Sequence, residues 1–218
     1  MKKPWIRTFC RSALSGSRLF VVLMGLFFSA CSSYGPAPPI LVPDPSVPPP
    51  QATGAARSPE IIHVLPTQLP KDMEDIGTLF KNDGSYSQLV SENPLGPVLD
   101  AILIKDLRAG GIQAVLAHGA LPPDAPTLQI VVQTFQDKIK ENFLNTSQEA
   151  KVRMEATLIL HRGTTTRTIM RSMERRSSPK PVMSFNKNLA PRLLGSLYST
   201  SIRQDLVPFL LNKMGESP

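Results

Sequence analysis

Residues 151–160 read Lys151-Val152-Arg153-Met154-Glu155-Ala156-Thr157-Leu158-Ile159-Leu160. Val152, Met154, Ala156, Leu158 and Leu160 alternate with Lys151, Arg153, Glu155, Thr157 and His161. Side chains on a strand point to opposite faces in turn, so this pattern predicts a strand with one dry and one wet face. Such strands build antiparallel sheets covered on one side. Upstream, Leu128, Ile130 and Val132 alternate with Gln129 and Gln133. Downstream, Arg162-Gly163 and neighbouring threonines turn the chain into a third long strand, about Thr165 to Arg175. Residues 141–149, with Asn142 and Asn145-Thr146-Ser147, supply the other hairpin turn.

Working outward, Leu95, Val98, Leu99, Ile102 and Leu103 share one face of a helix from about Leu95 to Ala109. Asn93 stands at the N-cap position, Pro97 fits the first turn, and Gly110-Gly111 supplies the stop. Asp106 falls on the apolar face near the helix end, where a frayed rim is the expectation. Ile61, Ile62, Val64 and Leu65 predict a short strand stopped by Pro66, and Ile112 to Leu116 another. Residues 67–93 read as a long connection, with a turn at Asn82-Asp83-Gly84 and a short helix near Met73 to Phe80. A last helix runs from about Leu189 to Met214, with Leu194, Tyr198, Ile202, Leu206 and Leu210 in one row. Pro208 has no N–H to give the Gln204 carbonyl, so a kink is expected there. The expected fold is α+β: a single, mostly antiparallel sheet with two helices packed on one face, in the order β-α-β-β-β-β-α.

The 218 residues carry 24 Lys+Arg against 17 Asp+Glu, a net +7. Five of those cations, Lys2, Lys3, Arg7, Arg11 and Arg18, lie in residues 1–30, which hold no acid. The apolar run Leu19 to Phe28 follows, about half the length a membrane-spanning helix needs. A basic start, a short apolar run and small residues before a cut describe a secretory signal. Removing it leaves +2, and nucleic acid is dropped as a partner. Eight prolines between Pro36 and Pro50 predict an extended linker. Read as a tether over residues 32–59, it reaches at most about 90 Å.

Phe28-Ser29-Ala30-Cys31 resembles the lipobox of bacterial lipoproteins, with Phe28 departing from the usual Leu. The resemblance implies that Cys31 is acylated and becomes the first residue of the mature chain. Ser32 then points to the outer membrane, since Asp at that position favours inner-membrane retention in lipoproteins. The implied division is 1–30 signal, 31–59 lipidated Cys and tether, 60–218 periplasmic domain. Cys10 leaves with the signal and Cys31 is consumed by lipid, so the domain holds without a disulfide. Arg108-Ala109-Gly110-Gly111, Leu128-Gln129-Ile130-Val131-Val132 and Phe185-Asn186-Lys187-Asn188-Leu189-Ala190 are similar to stretches of the YajG family of bacterial lipoproteins. The layout also resembles the auxiliary lipoprotein subunits of lipid-transporting ABC systems. The YajG resemblance implies an outer-membrane lipoprotein on the periplasmic side and carries no catalytic residue.

No catalytic, cofactor or metal site is expected. His63, His118 and His161 lie on separate elements without ligand spacing and read as surface residues. Ser177-x-x-Lys180 and Ser184-x-x-Lys187 match the S-x-x-K pattern, but the companion motifs are missing. The one constellation is Arg167, Arg171 and Arg175, at even spacing on one strand face, in a segment where Glu174 is the only acid between 161 and 180. It reads either as a surface for an anionic partner or as a charged edge that blocks strand pairing. Two functions follow as expectations. One is a non-enzymatic adaptor or accessory subunit docking on an envelope protein complex. The other is a carrier holding lipid or glycan between sheet and helices. An apolar cavity beneath the helices favours the carrier and a filled core the adaptor.

Overall fold

The computed structural model describes residues 36–45, 60–71, 73, 75–122, 124–141, 145–177, 186 and 188–215. The signal segment, Cys31, residues 46–59 and the lysines of both S-x-x-K matches lie outside them. Among the described residues the strands are β1 (Ile40–Val42), β2 (Ile61–Val64), β3 (Asp75–Phe80), β4 (Tyr86–Ser91), β5 (Gln113–Leu116), β6 (Thr127–Glu141), β7 (Thr146–Leu160) and β8 (Gly163–Ser177). The helices are α1 (Leu95–Ala109), α2 (Leu189–Ser201) and α3 (Val207–Gly215), the last two joined by a π turn (Ile202–Leu206).

The long alternating stretch behaves as its pattern requires. β6, β7 and β8 pair antiparallel over nearly their whole length. Val152, Met154, Ala156 and Leu158 of β7 are buried. On β6 the alternation holds only to Val132, because a bulge shifts the register between Val132 and Thr134. The extra residue reverses the parity of the strand. Without it Thr134, Gln136, Lys138 and Lys140 would point inward. With it Phe135 and Ile139 are buried, and Asp137 goes in with them.

The rest of the sheet corrects the expected architecture. Among the described residues the sheet has eight strands and is mixed, not mostly antiparallel. β2 and β3 run parallel to β6 and share one of its edges: Val64 pairs with Leu128, and Gly77 with Asp137. β5 lies parallel to β2, and β1 parallel to β4. The order β-α-β-β-β-β-α therefore fails, because it omits β1 and the β3–β4 hairpin. Ile76, Leu79 and Phe80 sit at i, i+3 and i+4, which imitates a helix. A bulge between Asp75 and Gly77 produces that spacing on a strand. The turn between β3 and β4 falls at the expected Asn82-Asp83-Gly84, with Gly84 at φ 80°. Gly77 is required by close approach: a Cβ there would collide with the Asp137 carbonyl oxygen.

The Pro-rich stretch also begins inside the domain. Ala37 N–H donates to Tyr86 O (2.9 Å) and Glu92 N–H to Val42 O (3.0 Å). Val42 is buried. Asp44 accepts from the Ser91 hydroxyl and from Asn93 N–H and Nδ2. Asn93 is thus spent on Asp44, and Pro94 is the residue at the N-cap of α1, without a side-chain cap.

α1 has the expected bounds. Its end is a Schellman motif, with Ile112 N–H on Leu107 O and Gly111 N–H on Arg108 O. Gly111 takes φ 86° as that motif needs. α1 and α2 pack over the inner sheet face, and Leu99, Leu103, Leu194, Tyr198 and Ile202 join the strand residues in one core. The expected kink before Pro208 takes the form of the π turn, where Val207 N–H reaches back five residues to Ile202 O.

Candidate docking surfaces and the charged clasp

Among the described residues β8 pairs only with β7 and stands at the edge of the sheet. Its register sets Ile169 opposite Met154 and Arg171 opposite Val152, so the odd-numbered residues share the face that carries the helices. Arg167, Arg171 and Arg175 are therefore on the helix side, not on the wet face. Arg171 Nε donates to Asp205 Oδ2 at 2.7 Å, with side chains 30% and 27% exposed. That bond holds the Arg171 guanidinium pKa above its usual value. Arg167 lies over the Phe209 ring, 5.5 Å from its centroid. Arg175 is exposed beside Gln148. Two of the three arginines thus hold the strand to the C-terminal helices, a role that strand periodicity cannot show.

The π turn completes this clasp. Arg203, two residues before Asp205, donates through Nε (2.9 Å) and Nη2 (2.7 Å) to Asp106 Oδ1. Asp106 is fully buried, which corrects its reading as a frayed rim residue. A π turn widens the helix by one residue, and here it aims neighbouring charges of opposite sign at α1 and at β8. Nearby, Thr67 donates through its N–H and its hydroxyl to Asp100 Oδ1. Tyr198 stacks edge-on to Phe135, and burial pushes its hydroxyl pKa up; Thr67 offsets only part of this.

Asp137 is buried as well. Gln148 Nε2 donates to Oδ2, while Oδ1 has no partner among the described residues. Burial raises its pKa to about 6, against the lowering effect of Gln148. No pattern marks this residue in the sequence, because the β6 bulge decides which way it points.

The wet face of β6–β8 carries Gln133, Gln136, Lys151 and Arg153, with Met170 72% exposed among them. A groove of about 800 Å³ opens along the outer flank of α1, walled by Pro66, Pro97, Ile104 and Leu116 and rimmed by Lys105 and His118. His161 pairs with Asp124 on the surface (2.9 Å), and His63 is half-buried on β2. Among the described residues no cluster of His, Cys, Asp or Glu could hold a metal ion. No helix there is long and apolar enough to cross a membrane.

No protein-family profile matches the sequence, and no curated protein does. Solved structures are similar to the domain. Protein XCC0632 of Xanthomonas campestris, of the DUF330 family, superposes with a TM-score of 0.53 at 14% identity, over 81% of this chain and 97% of that one. The hypothetical protein CT253 of Chlamydia trachomatis gives 0.41 at 12% identity, over 70% and 96%. The domain thus shares the architecture of XCC0632. The likeness establishes fold alone.

Proposed function

We propose that this chain is a YajG-like bacterial lipoprotein, anchored in the outer membrane through Cys31. Its periplasmic domain acts as a non-enzymatic adaptor or accessory subunit of an envelope complex. The lipobox-like Phe28-Ser29-Ala30-Cys31 and the basic leader support the anchor. One observation favours adaptor over carrier: the space between sheet and helices is filled. Leu128, Ile130, Val132, Leu194, Tyr198 and Ile202, from both layers, are fully buried in a single core. A carrier of this design would need that space for its ligand. The surfaces left for an envelope protein are the wet sheet face around Met170, the β8 edge with Arg175, and the α1 groove.

Photo-crosslinkers at Met170 and Arg175 in the intact cell, read by mass spectrometry, test this. The adaptor reading expects a defined envelope protein at one or both positions. Recovery of none, together with one equivalent of lipid or glycan extracted from the purified protein, would replace it with the carrier.

A further inference from the structure

The register places one residue from each of six strand positions in a single row across the sheet. Pro36 bridges Tyr86. Tyr86 pairs with Phe80, Phe80 with Lys140, Lys140 with Ser147, and Ser147 with Arg176. At about 4.8 Å per strand the row spans about 24 Å. It marks one end of the sheet, which also carries the Lys81–Ser85 turn and the β6–β7 connection. The chain enters the domain at this same end.

Only five peptide steps separate Cys31 from Pro36, where pairing with the sheet begins. Fully extended, they span at most about 18 Å. The expected 28-residue tether of about 90 Å is thus reduced about fivefold. The proline run beyond Pro45 joins β1 to β2 and adds nothing to the reach. The end bearing Pro36 is therefore held next to the lipid.

The chemistry of this end suits such a neighbour. Tyr86, 38% exposed, packs against Phe80 with ring centroids 6.3 Å apart. Aromatic side chains of this kind sit at the headgroup level of a bilayer. Lys140 and Arg176 stand exposed in the row, Lys138 is exposed two residues along the same face, and Arg175 is exposed next to Arg176 on the helix side. Of the acids present, Glu149 is paired with Lys151 and Glu174 with Arg176. Asp83 is occupied by the Ser85 N–H and hydroxyl. Glu141 is the fourth acid here. Lys81, Lys138, Lys140 and Arg175 have no ion pair among the described residues.

We infer that this end of the sheet lies against the phospholipid headgroups of the anchoring membrane, with Tyr86 and Phe80 at the interface and Lys138 and Lys140 on anionic phosphates. The inference rests on the lipoprotein reading of Cys31. The domain stands end-on: Arg175 lies at the lipid end, one position from the Ser147–Arg176 pair, while the α1 groove at Leu116, in register with Val64 and Leu128 near the start of β6, faces away from the lipid.

The mature lipidated chain has no free thiol, so a single fluorophore can be placed through Asn82→Cys or Arg162→Cys. Arg162 lies at the other end of the fifteen-residue β7, about 50 Å away. In phosphatidylglycerol-containing vesicles with a headgroup acceptor, the Asn82 position should transfer energy strongly and the Arg162 position very little. Equal transfer from both, or more from Arg162, overturns the inference. The unlipidated Cys31→Ser chain should bind phosphatidylglycerol vesicles over phosphatidylcholine vesicles. Lys138→Gln with Lys140→Gln should reduce that binding more than about tenfold. Equal binding to both lipids overturns it. Loss of an envelope-protein crosslink in the double variant with vesicle binding unchanged also overturns it, and makes this end a protein surface. The intact mass of the cell-derived protein reports separately whether Cys31 is acylated, so failure of the anchor reading is distinguished from failure of the headgroup contact.

Discussion

Replacing Asp137 with Asn should change how stability depends on pH, by an amount the structure sets. The carboxyl lies on the buried face of β6, accepts from Gln148, and leaves Oδ1 without a partner among the described residues. Its folded pKa is about 6, against 3.8 for the free group. Below about pH 3 both states are protonated and the group is neutral to stability. Between about 4 and 6 the unfolded chain releases its proton first, so stability falls as pH rises. Above 6 the full cost remains, about 3 kcal/mol for roughly two pKa units. Asn carries no charge and escapes this cost, but its buried amide needs an acceptor and loses about 1–3 kcal/mol at every pH. The diagnostic quantity is therefore the variant-minus-wild-type difference in unfolding free energy, followed with pH. Urea unfolding at pH 3 and pH 7.5 should show that difference shifting by about 3 kcal/mol in favour of Asn at the higher pH. Groups such as Glu149, held low by Lys151, titrate alike in both proteins and cancel. A difference that does not move with pH would refute the buried, unsatisfied carboxylate.

Gly77→Ala should cost at least about 2 kcal/mol in the same assay, because its Cβ meets the Asp137 carbonyl and parallel strands must part; a neutral result would contradict the β3–β6 pairing. Arg203→Ala should destabilise by about 3–5 kcal/mol, since it strands the buried Asp106 charge. Asp106→Ala should cost less, because Arg203 is 35% exposed and can turn to water; the reverse order in thermal or urea unfolding would refute the assigned burial. Arg171→Ala should cost no more than about 1 kcal/mol, its bridge to Asp205 being partly exposed. Asp44→Ala should expose β1 amides to faster hydrogen exchange while leaving β7 protected, by freeing the Ser91 and Asn93 donors; unchanged exchange at Val42 would argue against the Asp44 contacts.

Among the elements, those legible in the sequence are those whose cause is local. α1 runs over the expected residues because its apolar spacing and the Gly110-Gly111 stop both act within a few turns. β7 and its neighbours follow from alternation that runs over ten residues or more. The hairpin of β3 and β4 was not legible, because a single bulge at Ile76 turns a strand pattern into a helical one. β1 hid inside a proline run, where composition argues for a linker, yet Ala37 and Val42 still found backbone partners on β4.

The candidate site divides in the same way. The spacing of Arg167, Arg171 and Arg175 places them on one face of one strand, and the β7–β8 register sets them opposite Ala156, Val152 and Gln148. Which face it is, and that Asp205 and Phe209 wait there, depends on where the C-terminal helices settle. Sequence alone also determined the short distance from Cys31 to Pro36, but not its meaning. That required seeing Pro36 paired to Tyr86, which turns a nominal tether into the first strand of the domain. The physical reason is common to all these cases. Side-chain periodicity is written residue by residue, whereas strand partners are chosen through backbone groups that every residue shares. Parallel pairing, the inward turn of Asp137 and the clasp at the π turn are therefore decided only when distant segments meet.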